Sequence, residues 1–216
     1  MKFKILSITI LLSLISIGCN KSNEPKQQNG DIKIDKQIWM SKNLDVKKFN
    51  NGDLIPEAKS NSEWASALKN GNPAWCYIGN NVLNGEKYGV LYNWFAINDK
   101  RGIFPNGYHI PSKEEWLVLI KFLGGEDVAG EKLKSKVGWA EQGNGTDTSG
   151  FCGLPGGFRD ELGDFNNKGS LAMFWTTTKF KENNLYYFIN LDWGTNKCDN
   201  LFGGKGYGFS VRCIKD

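Results

Sequence analysis

A single histidine, five cysteines and eight tryptophans are the side chains from which this 216-residue chain would most readily build chemistry. His109 follows a turn and precedes Pro111. As a general base it would need an orienting partner and a cleft, and the sequence identifies neither, so structural use of its ring nitrogens is the simpler expectation. Cys76, Cys152, Cys198 and Cys213 form no CxxC pair and no Cys/His cluster with zinc spacing, which excludes a structural zinc. Ser149 and Ser210 have no partner base, leaving nucleophilic catalysis without support. Asp160, Glu161 and Asp164 resemble a hydrolytic pair or the opening of a calcium loop. However, Lys168 occupies a ligand position and no bidentate Glu closes the loop, so turn chemistry explains them more simply. Trp39, Trp94, Trp116 and Trp175 sit in apolar patterns and read as core. Trp64, Trp75, Trp139 and Trp193 lie near loops, where they either cap the core or present a ring face to a sugar. If a ligand surface exists, it is expected on the loop side, from Trp139, Arg159, Asp160, Asp192 and Trp193.

The elements that would position these residues are organised around Gly107–Gly125. There a turn and a short extended piece lead into Pro111. Ser112 can cap a helix and Glu115 can complete the capping box. Trp116, Leu119, Ile120 and Leu123 recur at helical spacing, and Gly124-Gly125 ends the helix. A second S-x-x-E start, Ser60 to Glu63, opens a short helix ending at Asn70-Gly71. Asp31–Leu44 alternates as an opening strand or hairpin, with Ile32, Ile34, Ile38 and Met40 on one parity and Trp39 on the other. Trp75–Ile78 reads as a brief strand, Glu126–Lys136 as a short polar helix and 138–150 as a long surface loop. Tyr88–Ile97, apolar nearly all round, reads as a buried helix or a central strand, with helix favoured because it leads into the loop before the central helix. The last third is strand-like at 151–159, 170–180, 185–193 and 207–214. Helices first and antiparallel strands after them predict an α+β domain.

The N-terminus sets the expected location. Met1–Lys4 is basic and Ile5–Ile17 is apolar, too short for a bilayer span of roughly 20 residues but suited to a secretory signal. It ends at Ser16-Ile-Gly-Cys19, which resembles a bacterial lipobox, although Ser16 stands where Leu, Val or Ile is usual. Residues 1–18 are thus expected to be a lipoprotein signal peptide with Cys19 as the lipidated residue, anchored by ~0.8 kcal/mol per buried methylene. Residues 19–30, polar and without an apolar run, read as a tether, and 31–216 as the domain. Charge is +4 with no basic stripe, so no nucleic-acid partner is expected. An exported chain permits disulfides, and the four domain cysteines allow three full pairings.

Several motifs in order identify a relative. They are Gln37-Ile-Trp-Met40, Trp75-Cys-Tyr77, Gly85-Glu-Lys-Tyr-Gly89, Leu91-Tyr-Asn-Trp94, Pro105-Asn-Gly-Tyr-His-Ile-Pro-Ser112, Leu154-Pro-Gly-Gly157, Phe174-Trp-Thr176 and Gly208-Phe-Ser-Val-Arg-Cys213. Over about 31–216 the chain resembles the Fibrobacter succinogenes major paralogous domain, a family of exported proteins of Fibrobacter and Bacteroidetes. Cys152 departs from the family pattern, so its disulfides do not carry over. The segment through Trp116 and the terminal Gly-Phe-Ser-Val-Arg212 also looks, more distantly, like the formylglycine-generating-enzyme group. That group belongs to the C-type-lectin-like superfamily. The likeness implies two main helices, a twisted antiparallel sheet, long loops, and an opening strand beside the closing one. Those enzymes hold copper with closely spaced cysteines before the terminal Arg, whereas Phe202–Phe209 contains none. Cys198 and Cys213 are better explained as one disulfide or as unrelated thiols. Asp192-Trp-Gly-Thr-Asn196 only faintly echoes the Trp-Asn-Asp of calcium lectins.

The expectation is therefore a non-enzymatic module without cofactor or metal, lipid-anchored to the bacterial cell envelope, in the outer membrane. It would bind a glycan or a surface protein. A structural or adhesive envelope module is the first alternative, and a metal-dependent oxidase or hydrolase the second.

Overall fold

The computed structural model describes residues 30–181 and 184–216. The expected signal peptide, Cys19 and, apart from Gly30, the tether lie outside the described residues. The chain opens with a hairpin of Asp31–Ile34 (β1) and Gln37–Met40 (β2). Its register sets Ile32 opposite Trp39, and directly opposed residues share a sheet face. Trp39 therefore lies with Ile32 and Ile34, not on the far side from them as the parity of a single strand suggests. Its ring meets Trp116 at 4.7 Å and Phe151 at 5.8 Å between centroids.

Asn61–Asn70 (α1) forms behind the Ser60–Glu63 capping box and ends at Gly71, which supplies the left-handed cap with φ 67°. Trp75–Cys76 (β3) and a 3-10 turn at Ile78–Asn80 follow. The run Tyr88–Ile97, open between a buried helix and a central strand with helix favoured, is neither throughout. It falls into three pieces: the end of Leu83–Tyr88 (α2), Leu91–Tyr92 (β4) and Trp94–Ile97 (α3). Gly89 makes the first break. It has φ 74°, and a Cβ there would meet the Leu44 carbonyl at 2.9 Å. Asn93 makes the second, its side chain accepting from the Ala96 amide as a new N-cap. Tyr108–His109 (β5) leads into Lys113–Phe122 (α4), where the Ser112–Glu115 capping box is present and Trp116, Leu119 and Ile120 are buried. Glu126–Leu133 (α5) follows. Residues 138–150 carry no regular element.

The remaining strands are Phe158–Arg159 (β6), Phe165–Asn166 (β7), Leu171–Phe180 (β8), Leu185–Asp192 (β9), Cys198–Gly204 (β10) and Ile214–Lys215 (β11). Two sheets dominate, in orders β1-β2-β11-β5 and β10-β9-β8, with small β3-β4 and β6-β7 pairs. All named strand pairs are antiparallel, and the fold is α+β. The opening hairpin lies beside the closing strand, Ile214 pairing with Trp39. Strand β10 is absent from the sequence expectation; Asp199, Asn200, Gly203 and Gly204 are residue types depleted in strands. Conversely, 207–214 is regular only at its end, the rest pairing through isolated bridges at Gly208, Phe209 and Ser210.

One core cluster, around Trp39, Trp116, Phe151 and Phe174, packs α4 and α5 against the sheets. A second holds Tyr92, Trp94, Trp175 and Phe209. The fully buried Arg212 ties the opening and closing segments together. Its guanidinium donates to Asn43 Oδ1 at 2.8 and 3.0 Å and to the Phe151 carbonyl at 2.7 Å.

Candidate functional site

The structure separates the residues expected to form a loop-side ligand surface into two groups and buries a member of each. Trp139 is 5% exposed, its indole N–H donating to Ser135 Oγ and the Gly153 carbonyl. Nearby, Lys134 Nζ lies 5.3 Å from the Trp139 ring centroid and donates to the carbonyls of Asp192 and Thr195. Burial pushes the Lys134 pKa down. Trp193 is half-buried, with Gly143 packed on its backbone. Arg159 belongs elsewhere. It is fully buried between Trp64 and Phe165 and donates to the Gly163 and Ala58 carbonyls, both at 2.8 Å. Asp160 spends its carboxylate on its own turn, accepting from the amides of Leu162 and Asp164 and from Asn166 Nδ2. Trp139 and Arg159 are thus interior packing residues. The Trp139 N–H is satisfied inside the domain. Arg159 places Nε and Nη1 on interior carbonyls, while its buried Nη2 has no hydrogen-bond partner among the described residues. Trp64 and Trp75 are buried as well.

The candidate Cys198–Cys213 disulfide is not formed. Both thiols are free and buried, and they belong to different core clusters. Burial pushes Cys213 up to about 12 and Cys198 higher still, so neither is a thiolate at neutral pH. Cys76 is also free and buried, which leaves none of the three full pairings in place. No group of three or more His, Cys, Asp or Glu able to hold a metal occurs among the described residues.

Two arrangements remain. The first surrounds His109 at the start of α4. Its Nδ1 lies 2.7 Å from Asp216 Oδ1 and its Nε2 2.7 Å from Glu115 Oε1. Glu115 Oε2 accepts from the amide and the hydroxyl of Ser112. Histidine, serine and carboxylates thus meet as they would in a catalytic site. Here, though, the serine hydroxyl is turned to the carboxylate rather than to the ring, and each ring nitrogen already has a carboxylate partner. Burial works against the imidazolium, but the hydrogen bonds it donates to Asp216 and Glu115 prevail and raise the His109 pKa. The cluster is a clamp joining β5, the N-terminus of α4 and Asp216.

The second is a groove of about 440 Å³ beside β10. Its walls are aromatic: Phe158, Phe188, Tyr207 and Phe209, with Phe202 at the rim, half-exposed. Tyr207 and Phe209 stack with centroids 5.5 Å apart, and Phe188 meets Phe209 at 4.6 Å. Glycine keeps the groove open. A Cβ on Gly203 would sit 3.3 Å from both the Phe188 and Tyr207 rings, and one on Gly204 would collide with the Glu161 carboxylate. Glu161 is half-buried and, among the described residues, has no hydrogen-bond or ion-pair partner. Burial, together with the negative charge of Glu161 and Asp160, raises the Tyr207 pKa. A second cleft, of about 350 Å³ against α1, has Glu63 committed to its capping box and Glu57 paired with Lys59. In the sequence, Phe202–Phe209 stands out only for its lack of cysteines, and the groove is not evident from it. The usable signal was the glycines alternating with aromatic residues, a pattern that permits close backbone approach.

Neither a curated protein nor a solved structure matches the chain. The family model of the Fibrobacter succinogenes major domain matches residues 32–215, and the chain belongs to that family.

Proposed function

With membership of that family as the premise, we propose that the chain is a non-catalytic binding module of the bacterial cell envelope. In this reading it is held at the outer membrane by lipid on Cys19 and engages a glycan or surface protein through the aromatic groove. The single observation that carries the reading is that groove, in which rings line an open cleft and the Glu161 carboxylate is left unspent. Ligand sites are mostly apolar, with a few placed polar groups. The nearest thing to a catalytic constellation, at His109, spends its groups on one another. A C-type-lectin-like arrangement belongs to the same reading. It is supported by the opening hairpin beside β11 and by α4 packed between the two main sheets.

The test has two arms. The full chain and a Cys19→Ala variant, expressed in a Bacteroidetes host, are followed through envelope fractionation, and loss of the variant from the membrane supports the anchor. Purified full chain in detergent is then titrated with envelope fragments that are untreated, protease-shaved or periodate-oxidised. Binding abolished by one treatment and by Gly203→Val identifies the ligand class and the groove together. Equal binding of the variant, or no binding at all, sinks the reading.

A further inference from the structure

Among the described residues lining the groove, five side chains are aromatic, of which Tyr207 carries a polar atom, and Glu161 is the one charged group. A sugar offers many hydroxyls and requires many partners, and this cleft has few side-chain groups to give. An unpaired carboxylate among ring faces instead complements a cation on an apolar stem. The carboxylate supplies the counter-charge, and the rings supply quadrupole attraction and cover for the methylenes. Placement adds a second constraint. Gly203 and Gly204 line the groove and also belong to β10, the terminal strand of the β10-β9-β8 sheet, which among the described residues pairs on one side only, with β9. Its unpaired edge offers backbone donors and acceptors to an incoming strand. The α5 helix covers the start of β10, where Gly130 packs on the Lys197 carbonyl. At the other end Leu201 and Phe202 are exposed, and Phe202 is stacked flat on Phe180 at 3.9 Å.

We infer that the groove takes the lysine side chain of an extended polypeptide that lies along the open edge of β10, its ammonium on Glu161 and its methylenes over the rings of Tyr207 and Phe188. This rests on the binding-module reading above and specifies its partner as protein. The alternating side chains of an added strand place every second one on the same face, so a single lysine suffices.

The probe is a labelled, end-blocked peptide of seven residues alternating serine and threonine with a central lysine, followed by fluorescence anisotropy with the full chain in detergent. A second peptide carries norleucine in place of lysine, keeping the stem and removing the charge. The expected result is that the lysine peptide binds at least about tenfold more tightly than the norleucine peptide. Glu161→Gln should erase that preference, and Gly203→Val should abolish binding of both. Equal binding of the two peptides to the unaltered chain overturns the inference, as does no binding by about 1 mM peptide. Chitosan oligomers provide the last arm. If they bind through Glu161 while the lysine peptide does not, the cation is an amino sugar and the polypeptide assignment falls. Envelope binding that persists when the lysine peptide fails removes this inference alone and leaves the binding-module reading standing.

Discussion

Around His109, a histidine, a serine and two carboxylates lie within hydrogen-bonding distance of one another, and each ring nitrogen and each Glu115 oxygen already has a partner. Beside Gly203, the walls are mostly Phe and Gly, residue types that suggest nothing reactive, yet there the Glu161 carboxylate has no partner among the described residues. What separates the two regions is whether the polar groups are already satisfied. A group whose bonds are all made internally contributes to stability, while one left open beside a cleft is available to a ligand. Residue type alone points to the wrong region.

Four changes probe that contrast, beginning with the largest effect. Glu115→Ala removes partners from the His109 ring and from the Ser112 amide and hydroxyl at once. It should cost about 2 kcal/mol of stability by chemical denaturation and leave ligand binding intact. A loss of binding with unchanged stability would erase the contrast. Gly203→Val should do the opposite, weakening binding at least tenfold, about 1.4 kcal/mol, because its side chain enters the space between Phe188 and Tyr207. An unaltered titration curve would place the site elsewhere.

The clamp should also impart a pH dependence that the groove does not. His109 has a folded pKa raised above its ordinary 6.5, so its contribution is complete below about that pH and is lost as pH rises through the folded value. Glu115 has its pKa lowered from 4.5; burial alone would raise it, but the Ser112 and His109 hydrogen bonds outweigh that. Its contribution is present above that pH and is lost as pH falls through the folded value. Melting temperature should therefore decline from pH 6 toward alkaline pH in the unaltered chain and decline less in His109→Gln; parallel melting profiles would show that the clamp is not the titrating device. The smallest effect on stability is expected from Glu161→Gln, within about 0.5 kcal/mol, since no described partner is lost. A large drop in melting temperature there would mean the carboxylate is structural after all.

Much of the fold was legible because it rests on local chemistry. The capping boxes at Ser60 and Ser112 and the greasy face of α4 gave both main helices. The apolar runs gave β8 and β9 nearly to their ends. The misreadings arose where long-range contacts decide. Trp139 and Arg159 sit in loop-like sequence, yet their partners, Gly153 for one and Ala58 and Gly163 for the other, are carbonyls that only the folded chain brings to them. The sequence could not show Cys198 and Cys213 divided between two core clusters. Strand β10 was hidden because Asp, Asn and Gly are depleted in strands, and the groove was hidden with it.

Isothermal titration of the lysine peptide into Gly203→Val and His109→Gln, side by side at pH 7, tests the contrast most directly. Binding heat should vanish for the groove variant and persist at the unaltered affinity for the clamp variant. Heat retained by Gly203→Val and lost by His109→Gln would contradict the account.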